Sequence, residues 1–218
     1  MSRNSKLTAS NVLAVSFVVY RLSKDFSFQK ENSMEIIAHR INLVLCLKNV
    51  PTNYGAEVDI RSIGDRLILQ HEAYSDGVDF EEWLSNYNHG TLILDIKEER
   101  LEHRCLELIH KYNIKNYFFL DCSFPMIYKL SSDGEHNIAI RFSEFEGLDT
   151  VRAMAGKCNW VWVDTFTRNP LTKEIADEIH SLGYKICFVS PELQGQPKLK
   201  EKYLSEVINE IDAICTDI

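Results

Sequence analysis

From Glu35 onward, short apolar runs recur along the chain, separated by segments of mixed polarity. The runs at 35–38, 56–60, 67–70, 92–96, 117–120, 138–141, 161–163, 185–189 and 213–215 are rich in β-branched and aromatic residues, and each has the length of a strand. Between most of them the period changes. Residues 99–112 place Leu101, Cys105, Leu108 and Ile109 on one helical face. Residues 171–182 do the same with Ile175, Ile179 and Leu182, after Pro170 as a start signal and before Gly183 as a stop. A last helix is expected over 201–211, just before the final strand. Strands alternating with helices of this length build βαβ units and a parallel sheet. If 61–63 and 67–70 are one strand with an adjoining extended arm, about eight β positions remain, and a compact (β/α)8 barrel is the economical solution.

This pattern begins near Met34, which divides the chain into an N-terminal segment, 1–33, and one barrel domain, 34–218. The apolar stretch 12–20 follows Arg3 and Lys6 as a signal-peptide core would, but no small-residue cleavage site comes after it. It is also far short of the roughly 20 residues that span a bilayer. An amphipathic or buried segment followed by a polar linker is the expectation, with weak membrane-surface contact through 12–20 left open.

The polar residues that interrupt the strands carry the chemistry. His39-Arg40, Glu57-x-Asp59, His71 and Asp95-x-Lys97 each sit at or just beyond the end of an apolar run. Side chains alternate across a strand, so Glu57, Asp59 and Arg61 share one face while Ala56, Val58 and Ile60 share the other. In a barrel the apolar set packs against the helices and the charged set faces the lumen. Carboxylates on neighbouring strands repel and lose hydration unless a cation neutralises them. An all-oxygen donor set suits Mg²⁺ or Ca²⁺ better than a soft metal. Two imidazoles for proton transfer and two cations for phosphate complete a set suited to metal-assisted cleavage of a phosphodiester.

Composition narrows the partners. A net charge of -8 disfavours general nucleic-acid binding but allows a small phosphate ester held by a few internal cations. The six cysteines (Cys46, Cys105, Cys122, Cys158, Cys187 and Cys215) show neither CxxC pairing nor metal-type spacing, which favours a reduced, cytoplasmic chain over a disulfide scaffold. Oligomeric state is not legible.

The ordered stretches 37–40, 55–61 and 64–71, with their His-Arg, Glu-x-Asp and His, resemble the opening of glycerophosphodiester phosphodiesterases, within the barrel superfamily that includes phosphatidylinositol-specific phospholipase C. Residues 92–97, Ser123-Phe124 and 211–217 resemble later strand motifs of the same family. The resemblance implies a TIM barrel in which Glu57, Asp59 and Asp95 hold the metal and His39 and His71 form the acid–base pair. Arg40 and Lys97 would then offset phosphoryl charge. From their own positions near strand ends, Arg141 and Asp164 are candidates to line the pocket, Arg141 as a further phosphate- or substrate-binding residue. Several positions depart from the family: Ile41 stands where Gly is usual, Glu72 where Asp is common, and Asp95 follows the sphingomyelinase D-type pattern rather than the usual Glu. The family's Glu-Asn-Thr segment has no clear counterpart between Arg40 and Gly55.

Other readings stay open at this level. The barrel could be a non-catalytic phosphate-binding module, and Lys97 could serve a Schiff-base lyase or aldolase. Arg141 and Asp164 fit ordinary ion pairing as well as a pocket wall. Trp160 and Trp162 suit packing, and His89, His103, His110, His136 and His180 are expected to face solvent.

Overall fold

The computed structural model describes residues 34–218; the segment 1–33, with its apolar stretch 12–20, lies outside the described residues. Eight strands run parallel: β1 (Glu35–Ala38), β2 (Gly55–Ile63), β5 (Leu92–Ile96), β6 (Tyr117–Leu120), β7 (Ala139–Phe142), β8 (Trp160–Val163), β9 (Lys185–Val189) and β10 (Ala213–Thr216). Two further strands, β3 (Arg66–Leu69) and β4 (Val78–Asp79), pair antiparallel and extend β2 as an arm. The parallel strands are ordered β6-β5-β2-β1-β10-β9-β8-β7 in one curled sheet. Its two ends, β6 and β7, meet at a single bridge between Phe119 and Ile138.

Helices occupy the connections: α1 (Val44–Leu47), α2 (Phe80–Leu84), α3 (Glu102–Lys111), α4 (Phe124–Ser132), α5 (Leu148–Ala153), α6 (Lys173–Ser181) and α7 (Lys200–Val207). Three differ from their expected limits for local reasons. α3 starts later than residue 99 because Arg100 adopts φ +73°, a left-handed conformation that no α-helix continues through. α6 starts after Thr172, whose side chain accepts from the Ile175 N–H, and stops before Gly183 at φ +89°. α7 ends at Val207 rather than 211, where the Glu210 N–H tightens onto the Val207 carbonyl at 2.8 Å.

Strand parity divides the interior into two cores. Ala56, Val58 and Ile60 join Trp83, Ile109 and Ile179 in a large cluster between sheet and helices. The opposite parity, including Ile37, Ile93, Phe118, Trp160, Trp162 and Cys187, forms a separate cluster inside the curl. There Phe118 stacks on Trp160 with ring centroids 4.6 Å apart. Glu57, Asp59 and Asp95 share this inner parity, so the apolar inner cluster is the floor on which they stand.

Among the described residues no helix is long and apolar enough to cross a membrane. The expectation for the peripheral histidines needs correction. His103 and His110 are exposed, but His89, His136 and His180 are half-buried and tie elements together. His89 Nε2 lies 3.1 Å from the Val50 carbonyl, His136 Nδ1 3.0 Å from the Lys157 carbonyl, and His180 Nε2 3.0 Å from Asp212 Oδ2.

Candidate metal and phosphate site

β2 is the longest strand and delivers two carboxylates from its inner face, while its register with β5 sets Asp59 opposite Asp95. β2 lies close to the residue leading into β5, because a Cβ on Gly55 would stand 2.3 Å from the Thr91 carbonyl oxygen. The side chains of Glu57, Asp59 and Asp95 are all buried, and one oxygen from each lies within 4.8 Å of the others. Glu57 Oε2 accepts the Arg40 backbone N–H at 2.6 Å. Asp59 Oδ2 accepts from Asn42 Nδ2 at 2.7 Å, and the Asp59 N–H donates to Asn42 Oδ1 at 2.9 Å. Two oxygens have no such partner: Glu57 Oε1 and Asp95 Oδ1 are buried without a hydrogen bond.

Buried, unpaired carboxylate oxygens cost free energy, and here the cost shows in the proton affinities. Burial, then the charges of Asp59 and Asp95, hold the Glu57 carboxyl well above the usual range. Burial, then Asp121, pushes Asp95 up to about 7 against the opposing pull of Lys97. A bound divalent cation would reverse both penalties. The donors are all hard oxygens, so the residues present fit Mg²⁺ or Ca²⁺.

Two cations border the acids. Lys97 Nζ lies 2.5 Å from Asp95 Oδ2, 3.3 Å from Asp59 Oδ1 and 4.0 Å from Asp121 Oδ2. Burial alone would lower the Lys97 pKa, but Asp95, Asp59 and Asp121 together hold it above the ordinary lysine value. A Schiff-base lysine needs the opposite shift, so the surroundings of Lys97 oppose the lyase reading. Arg40 Nε is 3.6 Å from Asp59 Oδ2. Its backbone adopts φ +54°, and this turn at the end of β1 aims its N–H at Glu57.

Arg141 stands one residue further out. It donates from Nε to Asp121 Oδ1 at 2.8 Å and also pairs with Asp164, without touching the three carboxylates. Asp164 in turn accepts from Trp162 Nε1 at 3.3 Å and from Gln194 Nε2 at 3.0 Å. Asp121 therefore links the two cations, being ion-paired with both Lys97 and Arg141.

The histidines differ in their engagement. His39 Nδ1 is 2.9 Å from Asp217 Oδ1, and its Nε2 is 4.0 Å from Glu57 Oε2, which brings the ring to the edge of the acidic trio. His71 is carried to the same rim by the Gln70 N–H, which donates to the Asp59 carbonyl at 2.9 Å. Arg61 fixes the His71 carbonyl with Nε at 3.1 Å and a terminal nitrogen at 3.0 Å. The His71 ring, however, pairs with Glu72 at 2.9 Å and forms no ion pair with the trio.

Sequence reasoning gave no role to Asn42, Asp121, Asp217 or Glu192. Asp217 did carry a signal, since it continues the inward parity of Ala213 and Cys215. Asn42, Asp121 and Glu192 carried none; Asp121 has the outward parity of Tyr117 and Phe119. Glu192 ties β9 to β10 and α7: it accepts from Lys200 Nζ at 2.7 Å and Thr216 Oγ at 2.5 Å, just before Asp217. Beside the site, a cleft of about 710 Å³ opens between α4 and α5, lined by Asp121, Arg141, Phe124, Ile127 and Phe145 among others.

No protein-family model matches the sequence, and no curated protein matches it. Solved structures do. A glycerophosphoryl diester phosphodiesterase from Parabacteroides distasonis superposes with a TM-score of 0.63 at 15% identity, covering 90% of this chain and 87% of its own. A glycerophosphodiester phosphodiesterase from Agrobacterium tumefaciens gives 0.57 at 12% identity, covering 84% and 96%. A second A. tumefaciens protein, provisionally assigned the same activity, gives 0.63 at 10% identity, covering 84% and 93%. The chain thus shares the fold of these phosphodiesterase structures over most of its described length.

Proposed function

We propose that residues 34–218 form a compact (β/α)8 barrel of the glycerophosphodiester phosphodiesterase type, which hydrolyses a glycerophosphodiester or related alcohol-phosphate diester with the aid of Mg²⁺ or Ca²⁺. The observation that carries this reading is the buried Glu57–Asp59–Asp95 trio, with Glu57 Oε1 and Asp95 Oδ1 lacking any partner and His39 alongside. The fold shared with solved phosphodiesterases supports it.

In this mechanism Glu57, Asp59 and Asp95 hold the cation, which supplies Lewis-acid stabilisation to the phosphoryl oxygens. Lys97 and Arg40 add positive charge where negative charge grows during attack. Asp217 accepts the Nδ1–H of His39, leaving Nε2 free to take a proton from the attacking water or a neighbouring substrate hydroxyl. His71, its Nδ1 engaged by Glu72, protonates the departing alkoxide from Nε2. Arg141 lines the approach through Asp121. A non-catalytic phosphate-binding barrel would have little need of two proton-transfer groups.

The test is hydrolysis of bis(p-nitrophenyl) phosphate and a panel of glycerophosphodiesters in Mg²⁺, Ca²⁺, Mn²⁺ or EDTA. Turnover that requires a divalent ion is expected. Turnover that persists in EDTA, or none with any diester in any metal, would overturn the proposal.

A further inference from the structure

Among the described residues, eight large apolar side chains are exposed, and six of them leave the end of the sheet that bears the acidic site. Leu43 and Leu45 follow His39-Arg40, Tyr74 lies in the loop that carries His71, Phe124 follows Asp121, Phe145 follows Arg141, and Phe166 follows Asp164. The other two are Ile63, at the tip of the β2–β3 hairpin, and Tyr128 on α4. Leu45 and Phe145 are 74% and 73% exposed, and Tyr74 is wholly exposed. Tyr74 also adopts φ +61°, a conformation costly for a bulky residue, although its ring is fully exposed among the described residues.

We propose that this mouth docks onto the surface of a zwitterionic lipid aggregate through these exposed side chains. A protein partner would call for a contiguous apolar core. Here the apolar groups stand on five separate segments that follow the strand ends, Leu45 on α1 and Phe124 at the start of α4 among them, interspersed with Glu72, Asp76, Glu144 and Glu146. Leucine and aromatic side chains flanked by polar groups, single or paired as Phe145 and Phe166 are with ring centroids 6.3 Å apart, suit a deformable membrane–water boundary. Charge selects the surface: a net charge of -8 and an acidic rim are repelled by anionic headgroups but not by zwitterionic ones. The cleft lined by Phe124 and Phe145 is also lined by Asp121, which is ion-paired with Lys97 beside the carboxylates.

The test is co-sedimentation of the full chain with phosphatidylcholine vesicles and with phosphatidylglycerol vesicles, beside the triple variant Leu45→Ser, Tyr74→Ser, Phe145→Ser. All three positions are exposed, and an unchanged melting temperature verifies folding. The wild type is expected to bind phosphatidylcholine, and the triple variant to bind at least about tenfold more weakly, the loss of some 1.4 kcal/mol. Three results would overturn the proposal: wild type left in the supernatant, binding confined to phosphatidylglycerol, or a triple variant that binds like wild type. The last would move the contact elsewhere, for instance to residues 12–20. Binding is read without turnover, so the outcome is separable from that of the diester assay.

Discussion

His39 Nδ1 lies 2.9 Å from Asp217 Oδ1, a contact between residues 178 positions apart that joins the end of β1 to the end of β10. The hydrogen bond from His39 holds the Asp217 carboxyl below its ordinary range, so it is ionised at neutral pH and accepts the Nδ1 proton. Asp217→Asn keeps the size of the side chain but removes the charge that sets the imidazole tautomer. Diester turnover is expected to fall on the order of 10²-fold or more. Stability should hardly change, because the Asp217 side chain is 67% exposed. Steady-state kinetics beside a thermal melt decide it; unaltered kcat would remove Asp217 from the mechanism.

Glu57→Gln removes one of three buried like charges. In EDTA this variant is expected to melt at a higher temperature than wild type, because burial and repulsion disfavour the Glu57 carboxylate. Wild type should gain about 2.7 kcal/mol from a divalent ion at a hundred times its Kd, and the variant much less. Denaturation with and without metal tests both statements. An equal metal response in the two proteins would place the ion elsewhere.

Lys97 is the internal counter-charge of the metal-free site, within 4.0 Å of three carboxylates. Lys97→Met leaves those charges uncompensated, at an expected cost of about 2–4 kcal/mol in EDTA. Urea denaturation reads that loss. Borohydride treatment of wild type with carbonyl compounds should give no covalent adduct at Lys97, since its ammonium is held protonated. A stable variant, or an adduct mapped to Lys97, would contradict this role.

Asp164 titrates abnormally: burial raises it to about 6 from 3.8, against the pull of Arg141. The folded chain therefore keeps this proton over a range where the unfolded chain has lost it. Stability linked to Asp164 is thus present below about pH 4 and falls as pH rises to about 6, by on the order of 2–3 kcal/mol. The difference between wild type and Asp164→Asn in urea unfolding should show that slope. Parallel profiles across this window would rule it out.

The strands and their inward faces were legible because period-two patterning is local: Ala56, Val58 and Ile60 announce their face without knowledge of the partner strand. The three metal-type acids followed from the same parity. The short helices α1, α2 and α5 were not legible, being too brief for a 3.6-residue period to show. Nor was the narrow β6–β7 seam, since Phe119 and Ile138 read like any other strand residues. The partners of the site residues were hidden for a different reason. Asn42 clasping Asp59, Asp121 linking Lys97 to Arg141, and Asp217 holding His39 all depend on which strand ends become neighbours, which no window of sequence encodes. His71 shows the limit from the other side: the motif brought it to the rim, while its ring pairs with the adjacent Glu72.

The most direct measurement compares glycerophosphodiester turnover by wild type and His39→Ala, each saturated with the same divalent ion. The expected result is a loss of about 10²–10⁴-fold in kcat with metal binding retained, since in the proposed mechanism His39 moves protons and does not hold the ion. Turnover by His39→Ala at the wild-type rate would contradict a phosphodiesterase centre at this site.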